Sequence, residues 1–186
     1  TSIREAYLGG DERIAATITP HHLHLNRNAM FVGGLRSDFY CLPVVKRECH
    51  RRALVRAATS GLPCFFLGTD SAPHPRSGKQ SACGCAGIFN AFHALESYAT
   101  VFQQEGALDR LEGFSSEYGP RFYGLPLNTD TVTLVREDQL IPSRLSPPQA
   151  ARSGNNSLPE AEWPLLFHSG ETLTWCIEMN GQSHGN

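Results

Sequence analysis

The chain has 186 residues, of which 40% are hydrophobic and 18% charged, and its formal net charge is -2 with neutral histidines. This length and composition are typical of one globular domain with a real core. The small negative charge argues against nucleic-acid binding through bulk electrostatics. No apolar run approaches the ~20 residues that a membrane-spanning helix needs. We therefore expect a protein that binds neither nucleic acid nor membrane.

The first predicted elements alternate between helix and strand. Residues 2–8 predict the end of a helix that Gly9 and Gly10 stop. Residues 14–19 predict a strand that Pro20 closes, and an irregular segment of a length that is often functional follows to about Pro43. The chain opens inside a predicted helix and without an initiator Met, which suggests a piece of a longer protein.

Residues 44–60 predict a second helix, which Gly61 ends. One face carries small and apolar side chains, and the other faces carry a basic cluster. The apolar face consists of Cys49, Ala53, Leu54, Ala57 and Ala58, and the basic cluster of Lys46, Arg47, Arg51 and Arg52. Such a cluster favours a solvated helix face over a phosphate or RNA site.

The most informative stretch, CFFLGTDSAPH at residues 64–74, comes next. A short apolar run without alternation is typical of a strand buried on both faces of a parallel sheet. Asp70 follows the C-terminal end of this strand, where α/β barrels and open α/β sheets place their chemistry. A buried acid needs a metal, a cation or hydrogen bonds, and His74 adds a second polar group nearby. Alternatively, Asp70 caps the next helix or braces a turn.

The rest of the chain adds helices and then a different pattern. An apolar stripe at alternating four- and three-residue steps predicts a third helix, and residues 108–114 predict a short fourth one. The stripe consists of Ile88, Phe92, Leu95, Ala99 and Phe102. Residues 131–135 and 172–177 alternate and predict an antiparallel appendage. A loop over 142–159 and a frayed tail over 181–186 complete the prediction.

The order of elements predicts an α/β fold with a parallel sheet and covering helices. Only about two βα units precede the appendage, whereas a complete (β/α)₈ barrel needs about 250 residues. This shortfall again suggests a piece of a longer protein.

Histidines and cysteines offer further candidate ligands. His21, His22 and His24 stand close together, and on an extended segment His22 and His24 could face one metal ion. Histidines in a surface loop are the alternative. Cys83 and Cys85 form a CxC pair, but no second pair accompanies them, so the zinc signal is weak.

The six cysteines are even in number, which suggests disulfides. Cys49 lies on the predicted apolar face and Cys64 opens the apolar strand, so each thiol is expected to behave as a small hydrophobic group. A chain of this size does not need disulfide staples. We expect reduced thiols and a cytoplasmic protein, or an organellar one if the source is a eukaryote.

Several motifs, in order along the chain, resemble the single-domain bacterial-type dihydroorotases. The resemblance runs from the first residues to about Glu137 and continues more weakly to Ile177. The motifs are AATITPHHL at 15–23, NRN at 26–28, YCLP at 40–43, LGTDSAPH at 67–74, CGCAGIFN at 83–90 and FYGLP at 122–126.

The resemblance implies a zinc-dependent cyclic amidohydrolase on a TIM barrel. Its reaction would be the reversible cyclisation of N-carbamoyl-L-aspartate to (S)-dihydroorotate in de novo pyrimidine synthesis. The chain would supply the C-terminal part of that barrel: the last βα units over about 1–125, and an extension with a small β appendage over about 126–186. A homodimer is also implied.

The resemblance assigns roles to particular residues. Asp70 would be a zinc ligand and the general acid/base that passes a proton to the leaving amide nitrogen. His74 would contact the substrate carboxylate, and backbone groups of Leu42 and Ala86 would hold the substrate. His21, His22 and His24 match none of the family's ligands. The other ligands of the two zinc ions would precede this chain, so the chain alone should bind zinc poorly and have no turnover.

Three alternatives stay open. Another cyclic amidohydrolase, such as a dihydropyrimidinase or hydantoinase, would share the barrel and the acid. A noncatalytic homologue would serve as an assembly partner. An independent zinc module would use His22, His24, Cys83 and Cys85.

Overall fold

A computed structural model of the chain describes residues 2–143 and 162–178. Its longest helices are α3 and α5, and four shorter helices accompany them. The helices are α1 (Ser2–Leu8), α2 (Pro20–His24), α3 (Glu48–Ala58), α4 (Arg76–Lys79), α5 (Ala94–Gln104) and α6 (Tyr118–Tyr123). Among the described residues, no helix is long and apolar enough to cross a membrane.

In the described part of the chain, six short strands form three pairs. They are β1 (Ala16–Ile18), β2 (Phe65–Leu67), β3 (Thr133–Val135), β4 (Gln139–Leu140), β5 (Thr172–Leu173) and β6 (Cys176–Glu178). Strands β1 and β2 are parallel, with Ile18 opposite Leu67. Strand β3 pairs antiparallel with β6, and β4 with β5. The predicted parallel sheet and the predicted antiparallel appendage are therefore both confirmed in the described residues.

The main core lies between the parallel strands and α5. Tyr98, Phe102 and Phe114 are fully buried, and the Phe114 ring lies 5.2 Å from the ring of each of the other two. The Tyr98 hydroxyl donates a 2.6 Å hydrogen bond to the carbonyl of Ile18. This hydrogen bond holds helix α5 against the end of β1. The cavity described below lies at that end of the strand.

The helix predicted for residues 44–60 begins later than expected. Residues 44–47 are extended, because Val45 packs into a separate cluster with Cys41 and Phe167. The buried side of α3 is centred on Val55 and Ala58. Cys49 and Ala53, which were predicted to lie on the apolar face, are exposed. The buried face of α3 is therefore rotated by part of a helical turn from the predicted one.

Three other predictions need correction. The segment after Pro20 is not irregular at its start, because Thr19 caps α2 by accepting a hydrogen bond from the His22 amide. Phe92 lies in a 3₁₀ turn before α5 and is 52% exposed, so it does not join the apolar stripe. The run 172–177 is two strands, since residues 174 and 175 interrupt it. Nearly all of the predicted loop 142–159, and the whole tail 181–186, lie outside the described residues.

Candidate functional site

The C-terminal ends of β1 and β2 lie side by side, because the two strands are parallel and in register. Chain segments leaving these ends therefore meet at one edge of the sheet. Strand β1 leads into Thr19 and α2, and β2 leads through Gly68 to Asp70. In β2 the apolar run is largely buried, whereas in β1 Ile18 is buried and Thr17 is exposed.

A cavity of about 550 Å³ opens at this edge. Both strand ends contribute to it, together with α2, α3 and the segment before α3. Its lining consists of Thr17, Ile18, Thr19, His22, Pro43, Leu54, Gly68 and Asp70. The predicted acid thus lines a cavity large enough for a small metabolite.

Asp70 is exposed at this cavity and has a left-handed backbone with φ 44°. Within residues 2–143 and 162–178, its carboxylate makes no hydrogen bond and no ion pair. The two readings of Asp70 as a helix cap or a turn brace are therefore not supported. Its oxygens remain able to bind a cation or a substrate proton.

His22 faces the same cavity but has no free ring nitrogen. Its Nε2 donates to the Pro43 carbonyl at 2.8 Å, and its Nδ1 accepts from the Thr19 hydroxyl at 2.7 Å. Burial lowers the pKa of His22, whereas the Pro43 carbonyl and the Asp70 carboxylate act in the opposite direction. The ring is held neutral in one orientation, which suits it to shape the cavity rather than to ligate a metal.

Within the described part of the chain, one group of three candidate metal ligands comes together: His21, His22 and Cys41, whose ligand atoms lie within 4.8 Å of one another. His21 and Cys41 are fully buried. His21 Nδ1 accepts from the Asn90 amide at 2.9 Å, and the Cys41 thiol points to the Pro43 carbonyl at 3.6 Å. Burial lowers the pKa of His21 to about 3. Both ring nitrogens of His22 and the Nδ1 of His21 have partners, whereas His21 Nε2 is buried without a hydrogen-bond partner among the described residues. The group is therefore a partly hydrogen-bonded polar cluster in the core.

The predicted zinc module of His22, His24, Cys83 and Cys85 is not assembled. His24 is turned into the protein, where its Nε2 donates to the Ser97 carbonyl at 3.0 Å and its ring packs 4.7 Å from His168. Cys83 is exposed. All six cysteines are free thiols, in agreement with the expectation of reduced cysteines.

Of the other predicted site residues, His74 lines a second, smaller cavity, whereas Leu42 and Ala86 are not in its lining. His74 lines a cavity of about 180 Å³ together with Gly87 and Lys79. Ala86 is half-buried beside Gly87. Leu42 is 61% exposed and precedes Pro43, which lines the larger cavity. Asp70 and His74 are thus close in the same loop, but they line different cavities.

The sequence indicated no specific role for two residues of this region, Lys79 and Gly68. Lys79 is buried, and its ammonium contacts three carbonyls. Gly68 lies against Thr17 so closely that a Cβ there would stand 2.3 Å from the Thr17 Cβ. The contacts of Gly68 with Thr17 and of Lys79 with Tyr40 join distant segments, so the sequence carries no local signal for them. The other two carbonyl partners of Lys79 are 6 and 8 residues away.

Comparison with known proteins finds curated relatives that are dihydroorotases. The chain is 64% identical over 168 residues to a dihydroorotase of Synechococcus sp. strain RCC307, covering 90% of this chain and 44% of that protein. This chain matches the C-terminal portion of dihydroorotases. A dihydroorotase of Sphingopyxis alaskensis is 59% identical over 164 residues, again with 44% of its length covered. No family model matches the chain.

Solved dihydroorotase structures agree with this match. The Saccharomyces cerevisiae dihydroorotase, crystallised in complex with 5-fluoroorotic acid, aligns with a TM-score of 0.77 and 31% identity over 93% of this chain and 47% of that one. The Campylobacter jejuni dihydroorotase aligns with a TM-score of 0.71 and 28% identity over 89% and 45% of the two chains. The chain therefore spans somewhat less than half the length of the dihydroorotases that it matches.

Proposed function

We propose that this chain is the C-terminal part of a dihydroorotase that interconverts N-carbamoyl-L-aspartate and (S)-dihydroorotate in pyrimidine synthesis. The observation that carries the proposal is Asp70 at the ends of two parallel strands, without a partner among the described residues, in a chain 64% identical to a dihydroorotase over 168 residues. In this proposal β1 and β2 are the last strands of a TIM barrel that residues 1–125 help to form. Residues 126–186 are its C-terminal extension.

Asp70 is the proposed catalytic residue and metal ligand. Its carboxylate is exposed at the larger cavity and has no partner in the described residues, so an oxygen is free for a cation such as zinc. Zinc, when bound, lowers the pKa of a water molecule and polarises a carbonyl group. The carboxylate of Asp70 would accept a proton during hydrolysis of the ring amide and return it to the leaving nitrogen.

His74, Leu42 and Ala86 are the proposed substrate contacts. An imidazole can donate a hydrogen bond to a carboxylate, and exposed backbone groups can hold the polar edge of a ring. The yeast relative was crystallised with 5-fluoroorotic acid, a pyrimidine ring that carries a carboxyl group. The carboxyl group of such a ligand would contact the imidazole of His74, and its ring would contact the backbone of Leu42 and Ala86.

The remaining parts of the proposal come from the family resemblance. Two zinc ions would share the site, with Asp70 as the ligand from this chain. The enzyme would be a homodimer in the cytoplasm, or in an organelle of a eukaryote. Its substrate would be a small molecule, and neither nucleic acid nor membrane would take part.

The test is Asp70→Asn in the full-length enzyme that this proposal implies. The amide keeps the size of the side chain but cannot exchange a proton, so we expect kcat for dihydroorotate hydrolysis to fall about 10²- to 10⁴-fold. Steady-state kinetics and metal analysis are the measurements. Asp109→Asn is the matched control, because Asp109 is exposed on a 3₁₀ turn and is expected to leave kcat unchanged.

Three outcomes would contradict the proposal. Normal turnover in Asp70→Asn would remove the catalytic role of this residue. A wild-type enzyme that opens dihydrouracil but not dihydroorotate would be a dihydropyrimidinase. A folded wild-type protein with neither activity would be a noncatalytic homologue.

A further inference from the structure

Lys79 is a buried lysine at the end of α4, with only 3% of its surface exposed. Its Nζ donates to the carbonyls of Tyr40, Cys85 and Gly87 at 2.7, 2.9 and 2.7 Å. An ammonium has three N–H groups, so these three bonds use all of its donors. Among the described residues it forms no ion pair, so the three carbonyls are its direct partners. Burial lowers the pKa of Lys79, and the charge of the Asp38 carboxylate acts in the opposite direction.

The three carbonyls belong to two segments that are far apart in the sequence. Tyr40 stands two residues before Leu42, whereas Cys85 and Gly87 stand on either side of Ala86. The Gly87 amide also donates to the Tyr40 carbonyl at 3.0 Å. The ammonium therefore holds the backbone beside Leu42 against the backbone on both sides of Ala86.

The third proposed substrate contact lies against the same segment. Gly87 has φ 147°, and a Cβ there would stand 3.0 Å from the His74 imidazole and 2.5 Å from the Ala72 Cβ. The Ala72 amide donates to the Ile88 carbonyl at 3.1 Å, which fixes the two loops side by side. The position of residues 85–87 thus determines how closely the backbone approaches His74.

Removing the ammonium would leave the Cys85 and Gly87 carbonyls without their described partner. Buried carbonyls that lose a charged donor gain free energy by turning towards water or another donor. Because Cys85 and Gly87 flank Ala86, such a turn changes the direction of the Ala86 backbone groups. Asp70 lines the larger cavity, whereas Lys79, His74 and Gly87 line the smaller one.

We propose that Lys79 is a positioning residue for substrate binding, whose ammonium fixes the backbone of Leu42 and Ala86 at the spacing that the substrate ring requires. This inference rests on the proposed function, since Leu42 and Ala86 are substrate contacts only if the enzyme is a dihydroorotase. Lys79 acts through these backbone segments and does not take part in proton transfer. Its loss should therefore weaken binding of substrate more than it slows the chemical step.

The test is Lys79→Met in the full-length enzyme, because methionine keeps most of the side-chain length without donors. We expect KM for dihydroorotate and the inhibition constant of 5-fluoroorotate each to rise at least 10-fold. We expect kcat to change less than 3-fold and the zinc content to stay the same. Lys46→Met is the matched control, since Lys46 is an exposed lysine that also donates to a carbonyl, that of Val44, at 2.6 Å. It should leave all four values unchanged.

A second variant guards against a folding defect. Lys79→Gln keeps two N–H donors without charge, and its KM and inhibition constant should lie between those of wild type and Lys79→Met. If Lys79→Met does not fold, Lys79→Gln decides alone: wild-type KM overturns the inference, and a raised KM with retained kcat supports it.

The two proposals fail in different ways. A wild-type enzyme without dihydroorotase activity removes the proposed function, and this inference with it. An active wild type with an unchanged KM in Lys79→Met, or with a fall in kcat alone, removes only the positioning role of Lys79.

Discussion

Gly68 shows how one residue sets the position of the candidate catalytic acid. It lies between β2 and Asp70, and its Cα approaches Thr17 of the neighbouring strand. A Cβ at this position would stand 2.3 Å from the Thr17 Cβ, a distance that real side chains do not adopt. Thr17, Gly68 and Asp70 all line the larger cavity. The close approach of the two strands therefore depends on the absence of a side chain at residue 68.

We predict that Gly68→Ala lowers kcat of the full-length enzyme at least 10-fold, because the added methyl group must push Thr17 away and move Asp70. Steady-state kinetics together with the thermal midpoint test this. Gly106→Ala is the control: it has open space around it but a positive φ of 65°. It should lower stability by about 1 kcal/mol without changing kcat. Equal effects of the two variants on kcat would show that general destabilisation, and not the strand contact, is responsible.

At the scale of elements, the short helix α2 connects the end of β1 to α3 and α5. Its peptide carbonyl at Leu23 accepts from the Arg51 guanidinium at 2.7 Å, and His24 donates to the Ser97 carbonyl of α5. Burial lowers the pKa of His24 to about 4, with His168 acting in the same direction. Helix α2 is therefore held against α5 by the side chain of His24, and burial favours the neutral form of that imidazole.

The sign of the pH dependence follows from this lowered pKa. The unfolded chain takes up a proton on His24 near pH 6.5, whereas the folded protein does so only near pH 4. Between these values the unfolded state binds more protons, so stability falls as the pH falls, by about 1.4 kcal/mol per pH unit for a single histidine. Below about pH 4 this contribution no longer changes.

We predict that His24→Gln, measured by chemical denaturation of the full-length protein at several pH values from 7 to 4, loses stability less steeply than wild type. Glutamine keeps an N–H donor but does not titrate. His50→Gln removes an exposed histidine of α3 and should keep the wild-type slope. A His24→Gln profile parallel to that of wild type would show that His24 is not held neutral by burial.

At the scale of the whole molecule, the candidate metal site is supplied by very few residues. Asp70 is the carboxylate of the larger cavity, while His22 in the same cavity has both ring nitrogens bonded to Thr19 and Pro43. Zinc sites in proteins take three or four protein ligands. One free carboxylate therefore holds zinc only weakly.

We predict that the isolated 186-residue chain binds much less than one equivalent of zinc at micromolar metal and does not hydrolyse dihydroorotate. Metal analysis after dialysis and an activity assay are the measurements. The cluster of His21, His22 and Cys41 is tested in parallel by Cys41→Ser. Stoichiometric zinc that disappears in Cys41→Ser would assign a metal to that cluster, against the hydrogen bonds described above.

The amino-acid sequence by itself determined the features that depend on neighbours along the chain. The apolar run that ends at Asp70 predicted β2, and the stripe that includes Ala99 and Phe102 predicted α5. Alternation at 131–135 and 172–177 predicted an antiparallel pair, which the structure forms between residues 133–135 and 176–178. The stripe and the alternation reflect the period of a helix or strand, and β2 is signalled by a short apolar run followed by turn residues. A single segment displays each of these signals.

Only the tertiary structure decided the contacts between distant segments. Lys79 meets the Tyr40 carbonyl across 39 residues, and His24 meets the Ser97 carbonyl across 73. Residues 44–47 stay extended because Val45 packs against Ile88 and Phe167, although their local pattern favours a helix. A buried hydrogen-bond donor or apolar side chain contacts whichever group the fold places beside it. The free energy of that contact exceeds the preference of the local sequence for a helix or a strand.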